Sequence, residues 1–324
     1  MQYGSVPGVT KPISRLAQGT ATFFDPSDQA ACFEMMDLST EFGINTFDTA
    51  HCYGKDKSVM FGKWLKEKNA KDKVVILAKG AHPYDRDRVT PEDITSDLEA
   101  TLGWMQVDYV DLFILHRDDP KVPVGPIVEI LNKHQKAGKI GAFGGSNWTT
   151  NRLKEAHDYA EANGLTPFAA SSPNFSLAEQ VEEPWTNCVS ISGPQGESAR
   201  EWYKTSDLAL FPWSSLAGGF FSDRFHRDNL DQFAENNYFA QLCIKCYCYE
   251  QNFQRLDRAR ELGAAKGLSV AQIALAFVMN QPYNLFALIS CADRSQFEAN
   301  VAALDLKLTP KELAYLDLRA DGAE

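Results

Sequence analysis

Residues 110–116, Val-Asp-Leu-Phe-Ile-Leu-His, form a short apolar run that ends in a histidine. Two earlier runs share this form: residues 74–79, Val-Val-Ile-Leu-Ala-Lys, end in a lysine, and residues 44–48, Ile-Asn-Thr-Phe-Asp, end in an aspartate. Each run is rich in β-branched or aromatic residues and precedes a helix-like stretch, as is typical of parallel strands buried on both faces. These successive units predict repeated strand–helix architecture.

Further strand-like runs extend the pattern, and the sequence predicts strands at 15–18, 45–47, 74–78, 110–115, 140–143, 168–171, 208–211 and 286–289. Helix-like stretches lie at 28–42, 58–68, 91–104, 126–137, 150–163, 198–204, 251–266, 269–279 and 310–318. This alternation is the order of a closed (β/α)₈ barrel, so we predict an α/β protein of the TIM-barrel type. We predict a single domain over residues 1–324 with a long loop insertion at about 218–250, which is typical of lids and binding loops.

The composition is that of an ordinary folded protein, with 44% hydrophobic and 23% charged residues. The net charge of −11 disfavours binding to a nucleic-acid backbone. Residues 1–16 lack the apolar core of a signal peptide, and no run approaches the roughly 18 apolar residues of a membrane span. Seven scattered cysteines are typical of reduced thiols. We therefore expect a cytoplasmic protein that binds neither nucleic acid nor membrane, and the oligomeric state stays open.

Cys243, Cys246 and Cys248 form a Cys-x-x-Cys-x-Cys pattern that could in principle ligate a metal. No second pair of Cys or His residues follows at a spacing typical of zinc sites. Aromatic residues are interleaved with these cysteines. We therefore predict that the thiols pack a helix and that the chain has no metal site.

Polar residues follow three neighbouring predicted strands: Asp48 and Tyr53, then Lys79, then His116. The carboxyl ends of barrel strands converge on one mouth, so these side chains are expected to share a pocket. A nearby ammonium lowers the pKa of a phenol from about 10, which would let Lys79 make Tyr53 a proton donor near neutral pH. Asp48 can pair with Lys79, and His116 can donate a hydrogen bond to a carbonyl oxygen. Such a site protonates a carbonyl but supplies no electrons.

The electrons would have to come from a cofactor, yet the chain has neither Gly-x-Gly-x-x-Gly nor a complete P-loop. Residues 48–54, Asp-Thr-Ala-His-Cys-Tyr-Gly, resemble the signature Asp-x-Ala-x-x-Tyr-Gly of the aldo-keto reductase family, and Lys79 and His116 follow in the expected order. The resemblance covers nearly all of the chain. It implies an (α/β)₈ barrel that binds NADP(H), or less often NAD(H), across its mouth. Hydride would pass to a carbonyl carbon while Tyr53 protonates the oxygen.

The resemblance also implies the cofactor contacts. Residues 145–148 are similar to the segment that holds the nicotinamide carboxamide, residues 211–218 to the one that covers the nicotinamide and contacts the pyrophosphate, and residues 290–300 to the one that holds the adenosine. The implied cofactor-binding set is Gly19, Thr20, Asp48, Ser146, Asn147, Ser172, Trp213, Ser214, Ser215, Leu216, Gly218, Ser290, Arg294, Gln296 and Asn300.

Two positions depart from the family pattern. Ser172 stands where many members have glutamine, and it is too short for the same contact to the amide. Ser290 stands where a basic residue is common in some branches, which leaves Arg294 as the cation nearest to a 2′-phosphate. With Arg294 in this place, NADP(H) is favoured over NAD(H).

A substrate wall of aromatic and a few polar residues suits small aldehydes, ketones and sugars alike. Its candidate members are Phe23, Phe24, His51, Cys52, His82, Trp148 and parts of residues 220–249. Arg117 could select an anionic group, but Asp118 and Asp119 follow it directly, which favours a surface ion pair.

We therefore predict an aldo-keto reductase that reversibly converts the carbonyl of a small molecule to the alcohol with NADP(H). Two alternatives stay open. One is a sensor or partner subunit that binds a nicotinamide cofactor on the same barrel with negligible turnover. The other is a barrel lyase or isomerase that uses Lys79 as a Schiff base.

Overall fold

The computed structural model describes residues 1–22 and 24–323, and it shows a short hairpin followed by a parallel barrel. The hairpin strands are β1 (Tyr3–Gly4) and β2 (Ile13–Ser14). The barrel strands are β3 (Leu16–Gly19), β4 (Thr46–Ala50), β5 (Val75–Gly80), β6 (Val110–Leu115), β7 (Ile140–Ser146), β8 (Ala170–Ser172), β9 (Ala209–Leu210) and β10 (Ala287–Ile289).

The eight barrel strands pair in chain order, and β10 returns to pair with β3. Leu210 closes the ring between β9 and β10. Its N–H donates to the carbonyl of Asn284, and its carbonyl accepts from the N–H of Phe286, both at 2.8 Å. The predicted (β/α)₈ barrel is confirmed.

Side chains alternate between the inside and the outside of the barrel because successive residues of a strand point to opposite faces. Val75 and Leu77 of β5 belong to the apolar cluster that fills the barrel, whereas Ile76 and Ala78 belong to the cluster between the sheet and the helices. By the same alternation Lys79, at the end of β5, falls on the inner side. Polar residues of inner parity at the strand ends therefore face the mouth.

The hairpin closes the opposite end of the barrel. Val6, Val9 and Ile13 join the inner apolar cluster together with Val75 and Leu112. This apolar closure was not predicted, because two strands of two residues each leave almost no periodic signal. With one end filled by apolar side chains, the polar groups concentrate at the mouth.

The helices surround the barrel: α1 (Gln29–Glu41), α2 (Lys55–Glu67), α3 (Pro91–Met105), α4 (Val124–Lys136), α5 (Thr150–Ala162), α6 (Glu197–Thr205), α7 (Tyr238–Tyr247), α8 (Glu250–Lys266), α9 (Val270–Met279), α10 (Arg294–Ala303) and α11 (Pro310–Leu316). All predicted helices form, with ends that differ by a few residues. α3 begins as expected, because the Thr90 side chain accepts from the N–H of Asp93 and Pro91 occupies the first turn. α2 begins earlier than predicted, with Gly54 as its N-cap at φ 102°.

Two helices were not predicted. α7 lies inside the segment expected to be a long loop, and it begins where the Asn237 side chain accepts from the N–H of Ala240. α10 lies inside the segment assigned to adenosine binding, and its N-cap is Asp293, which accepts from the N–H of Gln296. The segment 218–250 is thus partly helical, and α10 brings a helix start to the mouth.

Within the described residues, no single helix is long and apolar enough to cross a membrane. α8 and α9 reach the required length and composition only as a pair, and the chain bends by 100° between them.

Candidate active site

The structure brings together the four polar residues predicted to form the acid–base site. Asp48 lies on β4, Lys79 on β5, and His116 directly follows β6, all at positions of inner parity. Tyr53 ends the 3₁₀ turn His51–Tyr53 that follows β4. Lys79 Nζ donates to Asp48 Oδ1, and the rings of Tyr53 and His116 meet edge to face with centroids 6.2 Å apart. These groups share one side of the mouth.

Asp48 and Lys79 form a buried ion pair, with 4% and 3% of each residue exposed. Burial raises the pKa of Asp48, and the Lys79 ammonium opposes that rise. Removing either partner would leave a buried charge without its counterion, which costs about 3–5 kcal/mol. Because the Lys79 amine is engaged by a carboxylate, its use as a free Schiff-base nucleophile is disfavoured.

Tyr53 is held by the tight turn between β4 and α2. Its pKa lies well above the usual phenol value, because burial disfavours the phenolate and the Asp48 carboxylate repels it. We expected Lys79 to lower this pKa, and that expectation is wrong, since the Lys79 ammonium bonds to Asp48. The raised pKa keeps the phenol protonated at neutral pH, which is the form a general acid requires.

His116 is a neutral imidazole. Burial holds its pKa well below the usual range, and the positive charges of Lys79 and Arg117 add to this effect. Cys52 Sγ lies 3.5 Å from His116 Nδ1. Burial raises the pKa of Cys52 to about 12, so the thiol keeps its proton and can donate to Nδ1. The proton of the ring then lies on Nε2, where it can donate to a carbonyl oxygen.

Arg117 is buried next to His116, with 4% of the residue exposed. Its Nη1 donates to the His116 carbonyl at 2.9 Å, and its Nη2 donates to Cys188 Sγ at 3.3 Å. Asp118 pairs instead with Arg152 on α5, with 3.0 Å between Oδ2 and Nε. The predicted surface ion pair of Arg117 is therefore wrong, because the chain turns Asp118 towards α5. Arg117 forms no salt bridge with any described residue, and its charge remains beside His116.

Ser146 and Asn147, expected to bind the carboxamide, lie at the end of β7 next to His116. Ser146 Oγ donates to the Ser172 carbonyl at 2.8 Å. Asn147 Nδ2 donates to Ser146 Oγ at 3.1 Å and to the His116 carbonyl at 3.3 Å. Asn147 Oδ1 accepts from Trp213 Nε1 at 3.2 Å. This hydrogen-bonded set joins the predicted nicotinamide residues to the acid–base residues.

Ser172 and Ser290, the two positions that depart from the family pattern, differ in exposure. Ser172 is fully buried, and its hydroxyl donates to the Phe211 carbonyl at 2.6 Å. Ser290 is exposed, and its Oγ would lie 3.2 Å from a Cβ placed on Gly19. Thr20, next to Gly19, donates from its hydroxyl to the Asp48 carbonyl at 3.1 Å. Ser172 is thus bound within the sheet, whereas Ser290 is exposed at the mouth and packs closely against Gly19.

The segment after β9, expected to contact the pyrophosphate, has an irregular backbone. Ser214, Gly218 and Gly219 have φ values of 53°, 62° and 93°. The backbone N–H groups of Ser215 and Leu216 have no hydrogen-bond partner in the part of the chain that the structure describes. Unpaired N–H groups in turns of this kind bind anions. The segment therefore fits a pyrophosphate.

Of the residues expected to hold the adenosine, Arg294, Gln296 and Asn300 lie on α10. Arg294 is exposed, and its Nη2 donates to the Glu41 carboxylate at 2.7 Å. Gln296 is also exposed, and its side chain folds back on the helix start, where Oε1 accepts from the N–H of Ala292 at 2.9 Å. Asn300 is buried. Arg294 and Gln296 are thus on the surface, and Arg294 already has an acidic partner.

The structure places the candidate substrate wall only in part. Phe24 and Trp148 are 2% and 1% exposed, so they pack in the core and do not line an open pocket. His82 does flank the site, with its ring centroid 4.9 Å from that of His116. Phe23 lies outside the described residues.

Trp185 is a residue at the mouth that sequence reasoning missed. It is 46% exposed, and its ring centroid lies 6.4 Å from that of Trp213. Its Nε1 donates to Tyr238 Oη at 2.7 Å. The segment around it has no strand or helix pattern, and a large apolar side chain in such a polar loop was the one available signal.

The profile of the aldo/keto reductase family matches residues 15–319. The chain belongs to the aldo/keto reductase family. As a member of this family it is an oxidoreductase, and the family generally uses nicotinamide cofactors. The arrangement of Asp48, Tyr53, Lys79 and His116 at the mouth agrees with the order of residues that carried the resemblance.

Several curated proteins are similar over most of the chain. The uncharacterized oxidoreductase YrpG of Bacillus subtilis is 25% identical, over 98% of this chain and 95% of its own. The norsolorinic acid reductase stcV of Emericella nidulans is 26% identical, over 93% of this chain and 74% of its own. The probable aryl-alcohol dehydrogenase AAD4 of Saccharomyces cerevisiae is 24% identical, over 88% of this chain and 86% of its own.

A solved structure shows the same fold. The thermostable aldo-keto reductase Tm1743, determined with the inhibitor epalrestat, superimposes with a TM-score of 0.72 at 20% identity. The alignment covers 99% of this chain and 100% of the other. The barrel fold is therefore shared over nearly the whole chain.

Proposed function

We propose that this aldo/keto reductase reduces the carbonyl of a small molecule to the alcohol with NADP(H), and that Tyr53 is the general acid. The observation that carries the proposal is the meeting of a protonated phenol and a neutral imidazole beside a buried Lys79–Asp48 pair. The reduced nicotinamide supplies the hydride when bound. The residues of the chain then have to orient the carbonyl and deliver one proton.

Each of the four residues has one role in this proposal. His116 donates from Nε2 to the carbonyl oxygen and fixes its direction, while Tyr53 gives its proton to the same oxygen. The phenolate that remains is stabilised by the nearby Arg117 guanidinium. Lys79 offsets the charge of the Asp48 carboxylate, which would otherwise repel that phenolate. In the oxidation direction, Tyr53 takes the proton back.

The cofactor would be held by the groups already described at the mouth. Ser146 and Asn147 are suited to the carboxamide, because they carry a hydroxyl and an amide beside His116. The unpaired N–H groups of Ser215 and Leu216 suit the pyrophosphate. We propose NADP(H) over NAD(H) because Arg294 offers an exposed guanidinium near the expected adenosine end.

Aromatic carbonyl compounds are the first substrates to test. Trp213 and the exposed Trp185 form an aromatic edge at the mouth, which favours planar apolar ligands. Two relatives support the same class by name, since one is a norsolorinic acid reductase and one a probable aryl-alcohol dehydrogenase. Aliphatic aldehydes and sugars belong in the same panel as comparison.

We also propose a cytoplasmic location for this enzyme. All seven cysteines lie in the described residues and are free thiols. Free thiols persist where the surroundings are reducing. Fractionation of the cells that make the protein tests this point.

The function is tested by following the absorbance of NADPH and NADH against a panel of aryl aldehydes, aryl ketones, aliphatic aldehydes and sugars. We expect oxidation of NADPH with at least one carbonyl and slower oxidation of NADH. Quenching of tryptophan fluorescence by NADPH without turnover of any carbonyl would contradict the proposal and favour a sensor. Borohydride trapping of a substrate on Lys79 would favour a lyase.

A further inference from the structure

Cys52, His82 and His116 form a group beside the proposed active site, here named the Cys52 cluster. Each residue offers one ligand atom, and these atoms all lie within 4.8 Å of one another. All three residues are partly exposed. A thiolate and two imidazoles are ligands that Zn²⁺ binds well.

The spacing inside the Cys52 cluster is close to that of a tetrahedral metal site. Zn–S bonds of about 2.3 Å and Zn–N bonds of about 2.0–2.1 Å place sulfur and nitrogen ligands roughly 3.5 Å apart. Cys52 Sγ and His116 Nδ1 are already 3.5 Å apart. The ligand atom of His82 lies within 4.8 Å of the other two, so it has to approach by at most roughly 1.5 Å to complete such a site.

The hydrogen bonds of the two imidazoles leave the required nitrogen atoms without protons. His82 Nδ1 lies 2.6 Å from the Pro83 carbonyl, which can only accept, so Nδ1 carries the proton and Nε2 keeps its lone pair. Histidine ligands of metals commonly donate their other N–H to a backbone carbonyl in this way. On His116, Nδ1 is the atom that faces the Cys52 thiol.

We propose that the Cys52 cluster binds Zn²⁺ through Cys52 Sγ, His82 Nε2 and His116 Nδ1, with water as the fourth ligand. The Cys52 S–H bond breaks, a Zn–S bond forms, and the proton passes to solvent, so nothing is oxidised or reduced. The new thiolate charge also offsets part of the positive charge of Lys79 and Arg117, which would otherwise oppose a cation. We predicted no metal site from the sequence because these residues follow different strands and meet only in the fold.

The ion should inhibit the enzyme, and this part of the inference rests on the proposed function. His116 and Tyr53 face each other with ring centroids 6.2 Å apart, and the carbonyl has to enter between them and the cofactor. An ion on Nδ1 fixes the His116 ring to Cys52 and His82, which restrains the Nε2–H that has to orient the carbonyl. Inhibition should therefore be reversed by a chelator.

The binding itself is tested with Co²⁺ on the full chain, without thiol reductants and without cofactor. We expect a single tetrahedral site with a thiolate-to-cobalt charge-transfer band, which Zn²⁺ abolishes by displacement. Cys52→Ser should remove the band, whereas Cys248→Ser, the control at a partly exposed cysteine on a different segment, should keep it. His82→Gln should weaken binding by at least about tenfold, and His157→Gln, at an exposed histidine, should not change it.

A wild-type protein without the band, or a Cys52→Ser protein that keeps it, would overturn the site. Circular dichroism identifies a variant that has lost its fold, and the direct competition of Zn²⁺ for Co²⁺ in the wild type needs no variant.

Zn²⁺ inhibition is then measured relative to the rate of each variant without metal. We expect half-inhibition at a Zn²⁺ concentration equal to the measured Kd. In Cys52→Ser this concentration should rise at least about tenfold. Binding without inhibition would overturn only the inhibitory role, and a protein without reductase activity would overturn only the proposed function.

Discussion

The catalytic half of the mouth and its adenosine end are built in different ways. Asp48 and Lys79 lie on adjacent strands, are 4% and 3% exposed, and bond to each other. Arg294 lies at the exposed start of α10, where Glu41 holds its guanidinium. Groups on buried strand ends are fixed by the sheet, whereas a group on an exposed helix start has to exchange one partner for another when a ligand binds. Changes in the two halves should therefore have different consequences.

The largest effect is expected at Tyr53, in the catalytic half. Tyr53→Phe removes the transferable proton but keeps the ring, so kcat should fall by roughly 10²–10⁴-fold while the NADPH Kd stays the same. Steady-state rates and tryptophan fluorescence titrations measure the two quantities. Tyr203→Phe is the matched control, because Tyr203 is buried and bonds to Ser171 at 2.7 Å outside the acid–base group. Equal rates in Tyr53→Phe and wild type would show that Tyr53 is not the general acid.

The next effect concerns the buried ion pair of the catalytic half. Asp48→Asn leaves the Lys79 charge without its partner, so we expect the free energy of unfolding to fall by about 3–5 kcal/mol and most turnover to be lost. Asp118→Asn breaks a second pair of buried residues, Asp118 and Arg152, away from the chemistry. It should lower stability but keep kcat for the folded fraction. Urea unfolding measures the stability of each variant, and activity assays on the same samples measure its turnover. Unchanged turnover in Asp48→Asn would contradict the role of the Asp48–Lys79 pair.

The adenosine end should show a smaller and selective effect. Arg294→Ala removes the cation proposed for the 2′-phosphate, so the NADPH Kd should rise roughly tenfold to a hundredfold while the NADH Kd stays unchanged. Arg260→Ala is the control, since Arg260 is another surface arginine in a salt bridge, 2.7 Å from Asp223. Equal losses of affinity for NADPH and NADH in Arg294→Ala would show that Arg294 does not distinguish the two cofactors.

A still smaller effect in the opposite direction is expected at Glu41. Glu41→Gln frees Arg294 from its acidic partner, so NADPH should bind about two- to fivefold more tightly. Fluorescence titration with NADPH and NADH measures the change. Weaker NADPH binding in this variant would contradict the idea that Arg294 exchanges partners.

The pH profile of reduction should show no inflection near neutral pH. The pKa of His116 lies well below its usual value of about 6.5, and the pKa of Tyr53 lies well above its usual value of about 10. His116 therefore stays neutral and Tyr53 stays protonated across the interval between these usual values. We expect kcat/KM for the carbonyl at saturating NADPH to be constant over this interval. A loss of rate with a midpoint inside it would show that one of the two groups titrates there.

The same difference between strand ends and exposed segments decides how far the sequence could be interpreted. β5 and β6 were predictable because continuous apolar runs mark buried parallel strands, and Lys79 and His116 follow from their ends. α10 was missed although Asp293 and Gln296 form a recognisable helix start, because its segment was assigned by resemblance to ligand binding. α7 was missed for a similar reason, since its segment was treated as a loop.

Side-chain partners were less predictable than elements. Arg117 is followed by two aspartates, and only the turn of the chain towards α5 shows that Asp118 bonds to Arg152. The pKa of Tyr53 could not be predicted from residue types, because burial outweighs the neighbouring charges. The partner of Asp118 and the pKa of Tyr53 both depend on three-dimensional distances, which the order of residues in the sequence does not contain.

The transfer of hydride to a carbonyl is tested most directly with NADPH in which both hydrogens at C4 of the nicotinamide are replaced by deuterium. The wild-type protein is mixed with this cofactor and an aryl aldehyde, and the alcohol is analysed by mass spectrometry and NMR. The account predicts deuterium on the former carbonyl carbon, with little product from Tyr53→Phe under the same conditions. An alcohol without deuterium, or no alcohol from any carbonyl of the panel, would contradict it.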